Sequence, residues 1–339
     1  MMRIDAHMHV NYEKTCAREL IDYLDENRFD CCWLLTWEES APQGWPYQHL
    51  SAEDVYETYL QYPTRIIPMY APDPNQDDAS VRLRAWCKKG FRGCAELKAA
   101  INWQSDKVRA LLSTVSELRL PLLFHMQESS DMVIPLETDS PFEVLLTRLM
   151  KTDRLWGLPR NLLDFLTSFC SPLARWRAKR TLHFPGYMLD FASLGKALEA
   201  FPEVNFVGHG PLFWKHLSGD VAAGGPVYPR GQVKEGGLTC KFLQEYDNLY
   251  ADLSGAGVPA LTRDTKFAKR FLEKFSHKLL FGSDNIKTKI ESLIESFKLP
   301  SQTLRQIFGE NALGLIEQAV ISEADSEVNS VAQSQHDSA

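Results

Sequence analysis

The chain has 339 residues and a net charge of −7 at neutral pH. That length can bury a large core, and roughly 250 residues suffice for an eight-fold β/α barrel, so one domain with insertions is expected. The acidic balance and the lack of a dense Lys/Arg block argue against a nucleic-acid or anionic-membrane surface. A small molecule is the expected partner, and self-association into a homo-oligomer is left open. Seven scattered cysteines without paired spacing read as reduced thiols. The opening motif begins at residue 5, which leaves no space before it for a cleaved leader, and no apolar run reaches the ~20 residues of a membrane span, so a cytoplasmic protein is expected.

Residues 3–8 read as a first strand whose end carries Asp5-Ala6-His7-Met8-His9. Alternate strand residues project to one side, so His7 and His9 aim two imidazoles at one point. Imidazole suits zinc, iron or manganese, and a catalytic metal needs three or four protein ligands, so others must come from elsewhere. Further short apolar strands are expected at 31–36, 65–70, 91–97, 120–125, 204–208, 248–252 and 279–283. Between most of them lie amphipathic stretches, such as 14–26, 77–89, 105–118, 190–201 and 264–275. Strand followed by helix, eight times, is the α/β pattern of a (β/α)8 TIM barrel. No Gly-x-Gly-x-x-Gly follows any strand, which disfavours an open doubly wound sheet. His125, His209 and Asp284 each close an apolar run, and a parallel barrel carries its active site on that rim.

The fifth and sixth strands stand about 80 residues apart, more than one helix and two loops need. Residues 128–189 are therefore expected to form an insertion with helices at 141–150, 160–170 and 172–180. A second, Gly/Pro-rich insertion, 212–237, follows His209, and both are expected to roof the site. Residues 299–318 read as a closing helix pair with Asn311 near a boundary. Residues 319–339 are polar and aperiodic and read as a disordered tail.

Ile4-Asp5-Ala6-His7-Met8-His9, the strand-end His125, Val207-Gly208-His209-Gly210, Phe281-Gly282-Ser283-Asp284 and Phe308-Gly309-Glu310-Asn311-Ala312 together resemble the amidohydrolase superfamily. Within it the chain is similar to the group that includes aminocarboxymuconate semialdehyde decarboxylase. The resemblance implies a metal held by His7, His9, His125 and Asp284. It gives His209 an acid/base or carbonyl-polarising role, or, in binuclear members, that of a second metal ligand. A departure lies in Ala95-Glu96-Leu97-Lys98, where other branches use a glutamate or a carboxylated lysine to bridge two metals. Glu96 and Lys98 read equally as a plain ion pair, since a buried charge needs a partner. The expectation is one divalent metal ion, zinc first with manganese or iron as alternatives, and a second metal left open.

Such a cation lowers the pKa of bound water to about 7, with Asp284 placed to take the water's proton and His209 to stabilise a developing oxyanion or deliver a proton. Asp5 points away from the ligands and is expected to support them from behind. Trp37, Trp45, Tyr47, Trp103, Phe213 and Trp214 follow strands two, four or six and are candidate pocket walls. Arg160, Lys215 and Arg230 are candidate partners for a substrate carboxylate. His183 is worth following because its insertion is expected near the metal. The leading functional expectation is a metal-dependent hydrolase acting on an amide, lactone or similar carbonyl compound. The alternative is a non-oxidative decarboxylase using the same metal.

Overall fold

The computed structural model describes residues 2–38, 49–134, 136, 138–151, 165, 166, 168–188, 190–222 and 225–317. They fall into two compact units, the described residues of Met1–Ser40, Tyr47–Gln127 and Tyr187–Ala339, and those of Glu128–Gly186. The expected tail, Trp45, Tyr47 and Arg160 lie outside the described residues.

In the first unit the described residues form a TIM barrel of eight parallel strands. These are β1 (Ile4–Met8), β2 (Cys31–Leu35), β3 (Ile66–Met69), β4 (Cys94–Leu97), β5 (Leu122–His125), β6 (Phe206–His209), β7 (Leu249–Asp252) and β8 (Leu279–Leu280). Pairing runs continuously through β1-β2-β3 and through β4-β5-β6-β7-β8. Two seams close the ring. Tyr70 and Arg92 donate their amides to Gly93 and Pro68 at 3.0 and 2.9 Å, while Ala6 and Asp284 donate theirs to Phe281 and His7, both at 2.8 Å. Closure removes exposed strand edges.

Helices Ala17–Glu26, Ala52–Gln61, Ala79–Cys87, Asp106–Glu117, Phe191–Ala200 and Thr265–Lys274 lie between the strands. Several start on side-chain caps: Ser51 accepts from the Asp54 amide, Asp190 from Ser193 and Asp264 from Phe267. Their apolar residues, among them Leu20, Val55, Leu111, Leu194 and Phe271, share a buried cluster with strand residues Cys32, Phe124, Phe206 and Ala251. The barrel interior is a second cluster that contains Ile4, Trp33, Leu123, Val207 and Leu280, joined by Ala312 and Leu315 of the last helix. Asn311 fixes that helix by donating its side-chain amide to Ser276 and Leu279 carbonyls at 2.7 and 2.8 Å.

Two strands break simple alternation. The register shifts between Asp5 and Met8 in β1 and between Cys94 and Leu97 in β4. Ala6 and Ala95 lie in the interior cluster, and the next residues, His7 and Glu96, also turn inward to the site described below. A bulge of this kind re-aims a side chain at the cost of a ladder bond.

The second unit has helices near the expected 141–150 and 172–180, while 160–164 and 167 of the expected 160–170 lie outside the described residues, and it adds a strand pair that was not expected. Ser130–Val133 and Thr181–Phe184 pair antiparallel, with helices Pro141–Lys151 and Ser171–Arg180 between them. Arg180 pairs with Asp139 and Glu143 inside this unit. The strands are four residues each, too short to leave a legible period in sequence. Among the described residues no helix is long and apolar enough to cross a membrane, and none of the seven cysteines is in a disulfide.

Candidate metal centre

At the carboxyl ends of the strands, His7 of β1 and His9 just after it meet Glu96 of β4 and Asp284, which follows β8. His7 Nε2 and His9 Nε2 lie 3.0 Å apart. Each is 3.5 Å from Asp284 Oδ1 and 3.6 Å from Glu96 Oε2. Donors at about 2.1 Å from a tetrahedral zinc ion stand about 3.4 Å from one another, so these five separations suit a shared coordination sphere.

The hydrogen-bond partners behind the cluster fix what it presents. His9 Nδ1 donates to the Leu35 carbonyl at 3.0 Å and His7 Nδ1 to Asp252 Oδ2 at 2.7 Å. Both acceptors lack hydrogens, so each ring in its neutral form turns an unprotonated Nε2 toward the centre. Glu96 Oε2 is buried and has no hydrogen-bond partner, although Lys98 Nζ lies 3.1 Å away as an ion pair. Two facing lone pairs and a buried carboxylate oxygen that lacks a hydrogen bond are satisfied together by a cation. The residues present therefore fit a divalent metal.

Electrostatics agree with a donor set. Burial alone raises carboxylate pKa values, yet Asp284 is held well below the usual range by its bond to His9 and the nearby His7 and His209. Glu96 is likewise held well below it by Lys98 and His125, against its own desolvation. Burial lowers His9 and pushes His125 down to about 4. Burial also pushes His7 downward, but Asp252 and Glu96 outweigh it and leave His7 well above an ordinary imidazole.

His125, expected beside His7 and His9, instead turns Nδ1 to Glu96 Oε1 at 2.6 Å and Nε2 to the Gln127 side chain at 3.2 Å. Glu96, from the strand whose register shifts, turns Oε1 to His125 and Oε2 to His7 and His9. His209 Nε2 stands 3.7 Å from Glu96 Oε1, and Glu96, His125 and His209 form a second cluster of possible donors. Lys98 is both paired with Glu96 and stacked on Trp37, its Nζ 3.3 Å from the ring centre. Trp37 in turn packs edge-on against His9 at 4.7 Å, so it borders the centre.

Other expected contacts lie elsewhere. Trp103 is buried against Phe124 and Phe206 in the layer between strands and helices, because its apolar ring is better served there than at a polar rim. Trp214 is in the same layer against Phe213 and Phe271, its indole nitrogen donating to the Asp252 carbonyl at 3.0 Å. Arg230 is exposed and its carbonyl accepts from Arg263. Lys215 is buried and donates to the Gly225 carbonyl at 3.2 Å. His183 pairs with Asp131 across the hairpin of the second unit. Asp5, as expected, faces away: Ser283 Oγ, Tyr23 OH and the amides of His7 and Ser283 all donate to it, and burial raises its pKa to about 7.

Sequence reasoning missed Asp252 and Ser254. Asp252 Oδ2 lies 2.7 Å from His7 Nδ1 and 2.8 Å from His209 Nδ1, and Ser254 Oγ donates to it. The signal was available: Leu249-Tyr250-Ala251-Asp252 ends an apolar strand in an acid, as the segment before Asp284 does.

No protein-family model and no curated protein matches the sequence. Solved structures do match in fold. An uncharacterized TIM-barrel protein from Bordetella bronchiseptica aligns over 94% of this chain and 99% of its own, with 10% identity and a TM-score of 0.56. A 5-carboxyvanillate decarboxylase from Novosphingobium aromaticivorans, complexed with manganese and a nitrobenzoic acid, aligns over 93% and 96%, with 14% identity and a TM-score of 0.51. An amidohydrolase from Burkholderia multivorans with bound zinc aligns over 94% and 99%, with 12% identity and a TM-score of 0.50. The structures that this chain resembles thus include amidohydrolases and decarboxylases of the amidohydrolase superfamily, and what it shares with them is their TIM-barrel fold.

Proposed function

We propose that the chain is a metal-dependent hydrolase of the amidohydrolase type, acting on a small carbonyl compound such as an amide or lactone. The observation that carries this reading is the convergence of His7 Nε2, His9 Nε2, Glu96 Oε2 and Asp284 Oδ1 at separations of 3.0 to 3.6 Å. Zinc or manganese bound there acidifies water and polarises a carbonyl oxygen.

The residues supply the rest. Asp284 is the open member of the set, its side chain 30% exposed while His7, His9 and Glu96 are sealed. Held as a carboxylate, it suits a base that takes a proton from water and returns it to the leaving group. His209 presents Nε2 to the same centre with its Nδ1 hydrogen tied to Asp252 behind, so it takes up a proton at Nε2 and, once it carries that proton, can donate to the oxygen on which charge develops. Trp37 covers the His9 side, and Lys98 places a cation at the rim.

A second reading is favoured by the Lys98 ammonium and by the decarboxylase neighbour with its bound aromatic acid. In it a substrate carboxylate is anchored at Lys98, carbon dioxide leaves, and His209, having entered the cycle as an imidazolium, gives its Nε2 proton to the carbon. Turnover of paired lactone and aromatic-acid panels, scored for ring opening against carbon dioxide release, separates the two. Ring opening that survives Asp284→Asn unchanged would overturn the hydrolase reading.

A further inference from the structure

We propose that Asp252 is a positioning residue that sets two imidazoles at once. One carboxylate oxygen orients His7 as a metal donor and His209 as a proton carrier, which makes the two halves of the site a single mechanical unit. The inference rests on the metal reading of His7 and the proton role of His209.

Asp252 is fully buried at the end of β7. Its Oδ2 receives His7 Nδ1 at 2.7 Å, His209 Nδ1 at 2.8 Å and Ser254 Oγ at 2.5 Å, and its Oδ1 receives the Ser254 amide at 3.0 Å. The residue cannot drift, because Trp214 holds its carbonyl and Gly282 closes on its side chain. A Cβ at Gly282 would stand 2.3 Å from Asp252 Oδ1 and 2.7 Å from His7 Cβ. A carboxylate only accepts, so both Nδ1 atoms must carry hydrogen and both Nε2 atoms must face the centre. The two rings sit 4.5 Å apart, tilted by 50°. One oxygen therefore fixes the hydrogen placement of both, and anything that moves it moves both. Outer partners that fix a ligating imidazole typically change metal affinity by about 10- to 100-fold when removed.

Asp252→Asn keeps the shape but offers one acceptor oxygen and an N–H where the carboxylate offered only acceptors. Three donors then compete for fewer lone pairs. Nitrogen-15 spectra of zinc-loaded protein labelled at the histidine rings read the hydrogen placement directly, with His7→Asn and His209→Asn supplying assignments. In the parent both Nδ1 positions are expected to carry hydrogen. In Asp252→Asn the His209 resonances are expected to shift toward the Nε2–H form, and zinc affinity, measured against a chromophoric chelator, to fall about 10- to 100-fold. Ser254→Ala, which keeps the carboxylate, is expected to retain both tautomers. A parent whose His209 carries hydrogen at Nε2 and none at Nδ1, or an Asp252→Asn protein with parental tautomers and zinc affinity, overturns the proposal; the parent spectrum decides even where the variant does not fold. A parent that takes up no zinc or manganese overturns the metal reading instead.

Discussion

His7 Nε2 and His9 Nε2 lie 3.0 Å apart with their ring hydrogens committed behind them, to Asp252 and to the Leu35 carbonyl. Two lone pairs at that distance repel unless a proton or a metal ion lies between them. The pair is thus built for occupancy, and its energy is recovered as metal affinity.

The first prediction concerns that pair. His7→Ala with His9→Ala should abolish metal retention and activity while leaving the barrel's far-UV circular dichroism intact, since strand pairing in β1 uses backbone groups. Elemental analysis of protein purified without chelator should give about one equivalent of zinc, manganese or iron in the parent. Equal metal content in parent and double variant counts against the site.

Glu96 and Lys98 provide the second. If Glu96 is a donor, Lys98 competes with the metal for its Oε2, 3.1 Å away. Lys98→Met should then preserve or raise zinc affinity, whereas Glu96→Gln should lower it by at least about tenfold. Without metal, Lys98→Met leaves a buried carboxylate missing its cation, an arrangement that costs about 3–5 kcal/mol. Thermal melts with and without zinc should show a large deficit that zinc repairs. Loss of zinc affinity in Lys98→Met would assign the pair a purely structural role.

Most of the barrel was legible because its strands are short apolar runs separated by helices of clear period. The opening Asp-x-His-x-His and the strand-end His209 and Asp284 stood out because polar residues at the end of buried strands have few bland explanations. Three features were not legible. The β4 irregularity that turns Glu96 inward breaks the period-two rule from which facing is read. The bond from His125 to Glu96 depends on a side-chain rotation that spacing does not encode. Trp103 and Trp214 looked like pocket walls because they follow strands, yet their sequence position is equally that of a ring packed between strand and helix, where Phe124, Phe206 and Phe271 await them.

A third prediction lies away from the centre. Lys278 Nζ donates to the carbonyls of Leu243 and Tyr246 at 2.8 and 2.7 Å, closing the end of helix Leu238–Glu245. Burial lowers its pKa below 10.5, so the folded chain gives up this proton before the unfolded chain does. Its contribution to stability is therefore fullest above pH 10.5 and is lost as pH falls through the folded value. Lys278→Met should remove that rise on the alkaline side and, at pH 8, cost about 1–3 kcal/mol through the two abandoned carbonyls. Urea denaturation at the two pH values measures both, and parallel curves for parent and variant would exclude the titration.

The last prediction uses two glycines that a single methyl group separates. At Gly282 a Cβ would stand 2.3 Å from Asp252 Oδ1 and 2.7 Å from His7 Cβ, whereas at Gly314 nothing lies within 4 Å. Gly314 sits in the last helix, so Gly314→Ala should stabilise by about 0.5–1 kcal/mol. Gly282→Ala must push Asp252 or His7 aside, overpacking that typically costs about 1–3 kcal/mol. The displaced groups include a metal donor and the carboxylate behind it, so the loss of zinc affinity should exceed what the loss of stability alone explains. Denaturation and chelator competition on both variants decide this: an affinity in Gly282→Ala equal to that of Gly314→Ala would show that the close approach of Gly282 to Asp252 serves packing rather than the centre.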